Sequence, residues 1–185
     1  MAQRDVAVIV GSLRKASFSR NCARALIKLA PETLKPGFVE IGDLALYDQD
    51  LETETPPVGW VAFRDAMRHC DAVLFVTPEY NRSVPGVLKN AIDVGSRPYG
   101  KSIWSRRPAA IVSTSPGAMG GFGANHHLRQ SLVFLDMPVL QQPEAYIGHA
   151  NTLFTEDGEV TDDGSRKFLT GFMADFAALI ERTKG

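Results

Sequence analysis

The stretch VAVIVGSLRKASFSRN, residues 6 to 21, joins an apolar run to a polar loop and to the start of a helical pattern. Its first five residues are apolar and mostly β-branched, as in a strand that is covered on both faces. Gly11 ends this run, and a loop rich in serine and arginine follows it. Apolar residues then recur from Cys22 to Leu29 at the spacing of one helical face. The stretch therefore predicts a buried strand, a polar loop and an amphipathic helix.

The remainder of the chain repeats this alternation of apolar runs and helical patterns. Further strands are predicted at 38–41, 72–77, 108–113 and 137–147, and further helices around 63–70 and at 85–95, 124–136 and 162–183. Ser83 is a candidate N-cap for the helix that follows Pro85. The acidic, Pro-rich stretch 46–59 is predicted to be a solvated surface loop, and the stretch 151–164 is polar and rich in turn-forming residues.

Strands that alternate with helices form right-handed crossovers, which place helices on both faces of a parallel sheet. Five such units predict an α/β protein with a flavodoxin-like three-layer α/β/α sandwich and a five-stranded parallel sheet of order 2-1-3-4-5. With 185 residues and no linker or internal repeat, residues 1–185 are expected to form one domain.

Charge and cysteine content narrow the possible functions and compartments. Lys and Arg number 20 against 21 Asp and Glu, so nothing favours nucleic acid or an acidic membrane surface as a partner. No apolar run approaches the length of a membrane span, and no secretory leader pattern is present. Cys22 and Cys70 match no metal-site spacing and are predicted to be buried free thiols. These features favour a cytoplasmic protein.

Doubly wound sheets bind ligands beyond the carboxyl ends of their strands, at the switch point between strands one and three. In this chain the rule selects the loops GSLRKASFSRN (11–21), TPEYNRSVPG (77–86) and TSPGAMGG (114–121). All three are richer in Gly, Pro, Ser and Asn than the loops at the opposite edge. We expect them to form the binding site together.

The first loop has the composition of a phosphate site. Backbone amides at a helix N-terminus favour an anion, and Ser12, Ser17 and Ser19 add hydroxyl donors. Arg14 adds a fork-shaped cation that suits phosphate oxygens. The loop lacks both the G-x-G-x-x-G pattern of a pyrophosphate site and the Walker A lysine. It therefore favours a phosphate monoester, the alternative being a serine N-cap with solvated arginines.

The other two loops suit a flat ligand. Pro78 rigidifies the second loop, Tyr80 offers a flat amphipathic face, and Asn81 offers donors and acceptors. An ordinary strand-to-helix turn is an equally good interpretation of this loop alone. In the third loop the glycines permit positive φ or a close backbone approach to a ligand.

The segments GSLRKASFS, PEYNRSVPGVLKNAID and SPGAMGGFGANHHLRQ together resemble the NADPH-dependent FMN reductase family, and within it the bacterial quinone and chromate reductases. The middle segment, PEYN-x-S-x-PG-x-LKNAID, is the most specific part of a resemblance that covers nearly the whole chain. The resemblance implies a flavodoxin-like fold, non-covalently bound FMN, and a homodimer or homotetramer with the active site near a subunit interface.

The resemblance also implies which residues contact FMN. The phosphate would be held by Ser12, Arg14, Ser17 and Ser19, the last of which is often asparagine in relatives. The isoalloxazine would be flanked, mostly through backbone atoms, by Pro78, Glu79, Tyr80 and Asn81 on one side and by Ser115, Gly117 and Gly120 on the other.

The implied activity is the transfer of a hydride from NAD(P)H through N5 of FMN to an acceptor. Quinones, flavins, azo compounds and metal oxyanions such as chromate are the expected acceptors. Because the flavin carries the chemistry, no catalytic side chain is assigned. The alternatives are a flavodoxin-type electron carrier, which the net charge of -1 disfavours, and a non-catalytic flavin-binding module.

Two further pairs of residues are open to a functional interpretation. His126 and His127 are adjacent, so on a helix they point about 100° apart and do not form a chelating pair. No metal site is therefore predicted. Arg129 and Glu144 either pair across a subunit contact or have an ordinary surface role.

Overall fold

A computed structural model of the chain describes residues 3–184. Five strands and six helices follow one another along the described part of the chain. The strands are β1 Arg4–Val10, β2 Leu34–Phe38, β3 Ala72–Pro78, β4 Ala109–Thr114 and β5 Ala145–Ile147. The helices are α1 Phe18–Lys28, α2 Val58–Arg68, α3 Gly86–Gly95, α4 Phe122–Phe134, α5 Ala150–Leu153 and α6 Asp163–Lys184.

The sheet has the predicted topology. Its five strands lie in the order β2-β1-β3-β4-β5, and every neighbouring pair is parallel. In the central register, Val8 of β1 pairs with Phe38 of β2 and with Leu74 of β3. The flavodoxin-like strand order is thus confirmed, and the carboxyl ends of β1, β3 and β4 lie side by side.

Helices cover both faces of the sheet, and successive side chains of each strand point alternately into the two cores that result. Val6, Val8 and Val10 of β1 pack in one core with α1 and α6. Ala7 and Ile9 pack in the other with α2, α3 and α4. The buried central strands are therefore apolar on both sides, as their uninterrupted apolar runs predict.

The second strand differs from its prediction by about one strand length. It was expected at 38–41, but Leu34–Phe38 pairs with β1, and only the amide of Val39 continues the ladder, to the carbonyl of Val8 at 3.0 Å. Its sequence LKPGF contains a proline and a glycine, which weaken the strand pattern. An edge strand tolerates both, because the missing N–H of Pro36 need not serve a second neighbour.

The acidic stretch after β2 is anchored more firmly than a solvated loop. Asn90 of α3 accepts a hydrogen bond from the amide of Tyr47 at 2.8 Å and donates to the carbonyl of Ala45 at 3.0 Å. Glu52 forms an ion pair with Arg64, and both side chains are largely buried. Composition alone missed this, since the partners lie on helices that follow later in the chain.

Three smaller predictions also need correction. Ser83 does not cap α3; Pro85 occupies the N-cap position. Cys22 is a fully buried free thiol, and burial raises its pKa, but Cys70 is free and only partly buried. The polar stretch after β5 contains the short helix α5.

Within residues 3–184, no helix combines the length and the apolar character needed to cross a membrane.

The last turn of α6 is tied to the start of β3 by a charged contact. The Asp71 carboxylate accepts a hydrogen bond from the amide of Asp5 at 2.9 Å and forms an ion pair with Lys184. Desolvation raises the pKa of Asp71, but the bonds to Lys184 and to the Asp5 amide outweigh it and hold that pKa below its ordinary value. This contact therefore favours the ionised carboxylate in the folded state.

We expect Asp71→Asn to reduce the loss of stability in acid. Because the folded-state pKa is depressed, the ionised carboxylate stabilises the fold above the unfolded-state pKa of about 3.9, and this contribution is lost as the pH falls through the folded-state value. Urea unfolding at a series of pH values below about 5 measures how steeply the free energy of unfolding falls as the pH is lowered. Exposed Asp65, paired with Arg68 on its own helix, provides the control Asp65→Asn. An unchanged acid slope in Asp71→Asn would contradict the assignment.

Candidate functional site

The loops that follow β1, β3 and β4 meet in one cleft at the carboxyl edge of the sheet. Its lining residues are Ser12, Arg14, Ser17, Phe18, Ser19, Pro78, Glu79, Tyr80, Thr114, Ser115 and Pro116. Most of the predicted contacts are therefore brought together, whereas Asn81, Gly117 and Gly120 lie in the same loops but do not line the cleft. Sequence reasoning missed Phe18, Thr114 and Pro116, although each belongs to one of the three loops that the strand-end rule had selected.

The first loop leaves the sheet at a crowded point. A Cβ atom at Gly11 would lie 2.7 Å from the Oγ1 atom of Thr77 and 3.2 Å from a methyl group of Leu88. The amide of Gly11 donates to the carbonyl of Val76 at 2.9 Å, so the loop begins in register with β3. The φ of Gly11 is not positive, so the backbone conformation does not call for glycine. The lack of space for a Cβ atom is the reason for glycine at this position.

Ser12 and Ser17 place two buried hydroxyls in the cleft. The Oγ of Ser17 caps α1 by accepting the amide of Arg20 at 3.2 Å, and the Oγ of Ser12 accepts the amide of Arg14 at 3.4 Å. A hydroxyl that accepts a hydrogen bond retains its own proton as a donor. Both side chains are therefore able to donate to an anion at the amino end of α1, where the helix dipole is positive.

Arg14 is exposed at the mouth of the cleft, and its orientation is set locally. Its Nε donates to the carbonyl of Ala16 at 2.8 Å, and its guanidinium carbon lies 4.6 Å from the ring centroid of Phe18. Among residues 3–184 no carboxylate forms an ion pair with it. Its positive charge and its terminal nitrogens therefore remain available to a bound anion.

Ser19 has a partner that the sequence did not indicate. Its buried hydroxyl lies 2.7 Å from the Oγ1 atom of Thr114, at the end of β4. Either oxygen is able to donate in this pair. The contact joins the first turn of α1 to the third loop, so Ser19 contributes to the shape of the cleft as well as to its donor set.

The second loop is a tight turn between Tyr80 and Ser83. These two residues exchange backbone hydrogen bonds of 3.1 and 3.0 Å, and the residues between them, Asn81 and Arg82, have φ values of 51° and 65°. Positive φ at both central positions is the geometry of a type I′ turn, which asparagine tolerates well. The turn holds Tyr80 at the mouth of the cleft, where its side chain is about half exposed.

The third loop lies against β5. Gly120 has a φ of +59°, and a Cβ atom there would lie 2.4 Å from the carbonyl carbon of Tyr146. Gly121 has a φ of +77° and is the N-cap of α4. The Oγ of Ser115 accepts the amide of Gly117 at 3.1 Å and so stabilises the turn. The predicted need for glycine therefore has a definite cause, which is packing of the loop on a strand.

A small aromatic cluster borders this loop. The Nε2 of His126 lies 2.8 Å from the hydroxyl of Tyr146, and both rings contact Phe122. Burial, followed by a hydrogen bond to the Glu144 carboxylate, raises the pKa of Tyr146 to about 12, so the hydroxyl stays protonated at neutral pH. Arg129 is held by the side chain of Asn125 and by a backbone carbonyl. In residues 3–184 no group of three or more His, Cys, Asp or Glu side chains is arranged to hold a metal ion.

Comparison with known proteins identifies the family. The model of the family described as NADPH-dependent FMN reductase matches residues 4–152. The chain belongs to this family. A quinone reductase from Pseudomonas putida is 63% identical to this FMN reductase family member over 177 residues, which is 96% of this chain and 95% of that protein. A 2-hydroxy-1,4-benzoquinone reductase from a Burkholderia species is 46% identical over 175 residues, 95% of each chain.

A solved structure of high similarity supports the same assignment. FerB, a flavoenzyme NAD(P)H:(acceptor) oxidoreductase from Paracoccus denitrificans, superimposes with a TM-score of 0.90 at 44% identity. The match covers 97% of this chain and 98% of FerB. As a member of the FMN reductase family, the protein is an oxidoreductase that uses FMN and NAD(P)H.

The donor set in the cleft fits FMN. A phosphate monoester needs several hydrogen-bond donors and a cation, which the buried hydroxyls of Ser12 and Ser17, the amino end of α1 and Arg14 supply. The walls formed by residues 78–80 and 114–116 are rich in proline and offer little charge other than Glu79. Such walls suit a flat ring system, and the absence of a second and third glycine in the first loop disfavours a dinucleotide.

Proposed function

We propose that this protein is an FMN-dependent NAD(P)H:quinone oxidoreductase. The observation that carries the proposal is that one cleft at the switch point of the sheet combines two features. Hydrogen-bond donors suited to a phosphate lie in its first loop, and proline-rich segments suited to a flat ring form its walls. The similarity to the two reductases from Pseudomonas putida and the Burkholderia species, one a quinone reductase and the other a 2-hydroxy-1,4-benzoquinone reductase, supports quinones as acceptors. Free flavins, azo compounds and metal oxyanions such as chromate are further acceptors under this proposal.

In this proposal the first loop holds the FMN phosphate and the other two flank the isoalloxazine. The residues assigned to the phosphate are Ser12, Arg14, Ser17 and Ser19. The loops assigned to the two sides of the ring, mostly through backbone atoms, contain Pro78, Glu79, Tyr80, Asn81, Ser115, Gly117 and Gly120. Asn81, Gly117 and Gly120 do not line the cleft, so we assign them to the shape of the loops. Bound FMN supplies a hydride acceptor at N5.

The protein's own contribution is binding and placement. The phosphate donors at the amino end of α1 fix one end of the cofactor, and the two turns with positive φ fix the walls at the other end. No side chain of the cleft is assigned as an acid or base. The side chain of Tyr80 lines the cleft and is about half exposed, so we propose that it borders the approach for flat acceptors.

The proposal is tested first by the colour of the purified protein. We expect a visible flavin spectrum, released FMN on denaturation, and oxidation of NADH or NADPH that depends on an added quinone. A colourless protein that does not bind added FMN would refute the proposal. Bound FMN with negligible NAD(P)H turnover would favour the electron carrier or the non-catalytic module instead.

We also propose that the protein assembles with copies of itself as a homodimer or homotetramer. Val133 and Phe134 at the end of α4 are 74% and 86% exposed. Tyr99 borders the same surface depression as Phe134 and is 93% exposed. Large apolar side chains exposed together are typical of interaction surfaces. The molecular mass in solution, measured by light scattering, decides between one, two and four chains.

The same proposal places the protein in the cytoplasm and treats residues 1–185 as one FMN-binding domain. The unpaired thiols of Cys22 and Cys70 are compatible with a reducing compartment. Helices from the first and last thirds of the chain share one core, which supports a single folding unit. Cell fractionation and the cooperativity of unfolding test these two statements.

A further inference from the structure

Glu79 reaches away from its own loop toward the third loop of the cleft. Its Oε2 atom accepts a hydrogen bond from the amide of Ala124 at 3.0 Å, in the first turn of α4. The N-cap residue of that helix is Gly121, which has no side chain to satisfy the first-turn amides. A carboxylate from a different loop therefore supplies the cap, at the end of the helix where the dipole favours negative charge.

The structure leaves a space of the right shape for this carboxylate. A Cβ atom at Gly123 would lie 2.9 Å from the Oε2 of Glu79 and 2.8 Å from the carbonyl oxygen of Arg82. Gly123 does not have a positive φ, so its lack of a side chain serves close packing and not an unusual backbone. The second loop is consequently seated directly on the amino end of α4.

A second contact attaches the other end of the same turn. The Oγ of Ser83 lies 3.0 Å from the Nδ1 of His127, one helical turn farther along α4. Between these two attachments the type I′ turn is rigid because its end residues exchange backbone hydrogen bonds. The side chain of Glu79 is only 15% exposed. Its other charged neighbour is Arg82, whose guanidinium lies 3.5 Å from the Glu79 carboxylate and whose side chain is 80% exposed. The helix cap is therefore its principal interaction.

We propose that Glu79 is a positioning residue for the flavin, which acts by fixing the second loop to the third. Tyr80 belongs to one wall of the cleft and Ser115 to the other. The Glu79–Ala124 hydrogen bond links the loop that carries Tyr80 to the first turn of α4, which continues directly from the loop that carries Ser115. Without it the Ser83–His127 contact is left to hold the turn on α4, so the spacing of the two walls is held less firmly. The inference rests on the proposed binding of FMN in this cleft, and it assigns the Glu79 side chain to the helix and not to the ring.

The test compares Glu79→Ala with Glu79→Gln. Glutamine retains an oxygen that accepts the Ala124 amide, whereas alanine removes the cap. In apoprotein we expect amide hydrogen exchange at Ala124, followed by NMR, to be about 5-fold faster in Glu79→Ala, the factor that corresponds to loss of a typical helix cap. The FMN dissociation constant, from flavin fluorescence quenching, should rise by a similar factor of about 5. Glu79→Gln should recover most of both effects.

Arg82→Gln is the matched control, because it removes the exposed neighbour of Glu79 and leaves the cap in place. We expect it to leave Ala124 exchange and FMN affinity at the values of the unmodified protein. Circular dichroism and the unfolding midpoint identify any variant that fails to fold, and in that case Glu79→Gln alone carries the comparison.

Three outcomes would overturn the proposal. Unchanged Ala124 exchange in Glu79→Ala would show that the cap contributes nothing. Faster exchange with unchanged FMN affinity would show that the cap does not position the flavin site. Equal loss of FMN affinity in Glu79→Ala and Glu79→Gln, without faster exchange in Glu79→Gln, would assign the carboxylate to direct flavin contact. If the unmodified protein binds no FMN, the proposed function itself fails, and this result is distinct from all three.

Discussion

We expect Arg14→Ala to raise the dissociation constant for FMN by about 10- to 100-fold, the range that corresponds to one hydrogen-bonded charged contact. The guanidinium is oriented by the carbonyl of Ala16 and by the ring of Phe18, and no carboxylate of residues 3–184 pairs with it. Its removal therefore deletes the principal cation of the proposed phosphate site without opening a buried cavity. The free energy of unfolding of the apoprotein should change little, because Arg14 is exposed.

Fluorescence titration of apoprotein with FMN measures this effect, and riboflavin provides a second ligand that lacks the phosphate. The loss of affinity in Arg14→Ala should be confined to FMN. Lys15→Ala is the matched control, since Lys15 is the adjacent exposed cation and does not line the cleft. Equal FMN affinity in Arg14→Ala and the unmodified protein would refute the phosphate assignment.

Gly120→Ala should lower the free energy of unfolding by about 2–5 kcal/mol, the sum of overpacking and of forcing a side chain into the left-handed region. The added Cβ would lie 2.4 Å from the carbonyl carbon and 2.7 Å from the carbonyl oxygen of Tyr146. Both atoms belong to the backbone of β5, so no flexible side chain is able to move aside. The third loop must shift away from the sheet or the strand must give way.

Urea unfolding measures the loss, and FMN titration shows whether the displaced loop also weakens binding. Gly117→Ala is the control from the same loop, because its φ is not positive and the nearest atom to a new Cβ is the Oγ of Ser115 at 3.6 Å. We expect that variant to unfold within about 0.5 kcal/mol of the unmodified protein. Equal stability of the two variants would contradict the packing argument.

The strands that form the centre of the sheet were predictable because their signal is local. Residues 6–10, 72–76 and 109–112 are apolar without interruption, which is the pattern of strands buried on both faces, and the structure buries them. The edge strand was displaced in the prediction because LKPGF lacks that pattern, and only its pairing with β1 defines it. An edge strand pairs with a neighbour on one side only, so its amino-acid composition is less constrained than that of a central strand.

The site was predictable as a set of loops but less well as a set of contacts. The strand-end rule and the family resemblance selected the loops that do meet in the cleft. They did not indicate that Asn81 would serve the turn, or that Thr114 and Phe18 would line the wall. Those roles depend on where each side chain points, which residue type and spacing alone do not specify.

The sequence by itself determined the alternation of strands and helices, the choice of the three loops that line the cleft, and the donor composition of the first loop. Each of these follows from periodicity or composition within a short stretch. The tertiary structure decided the partners: Ser19 with Thr114, Glu79 with the amide of Ala124, and Gly120 against Tyr146. These partners are far apart in the chain and meet only when the sheet has formed. GSLRKASFSRN is thus rich in anion donors by composition, whereas its place beside residues 78–80 and 114–116 in one cleft is a property of the fold.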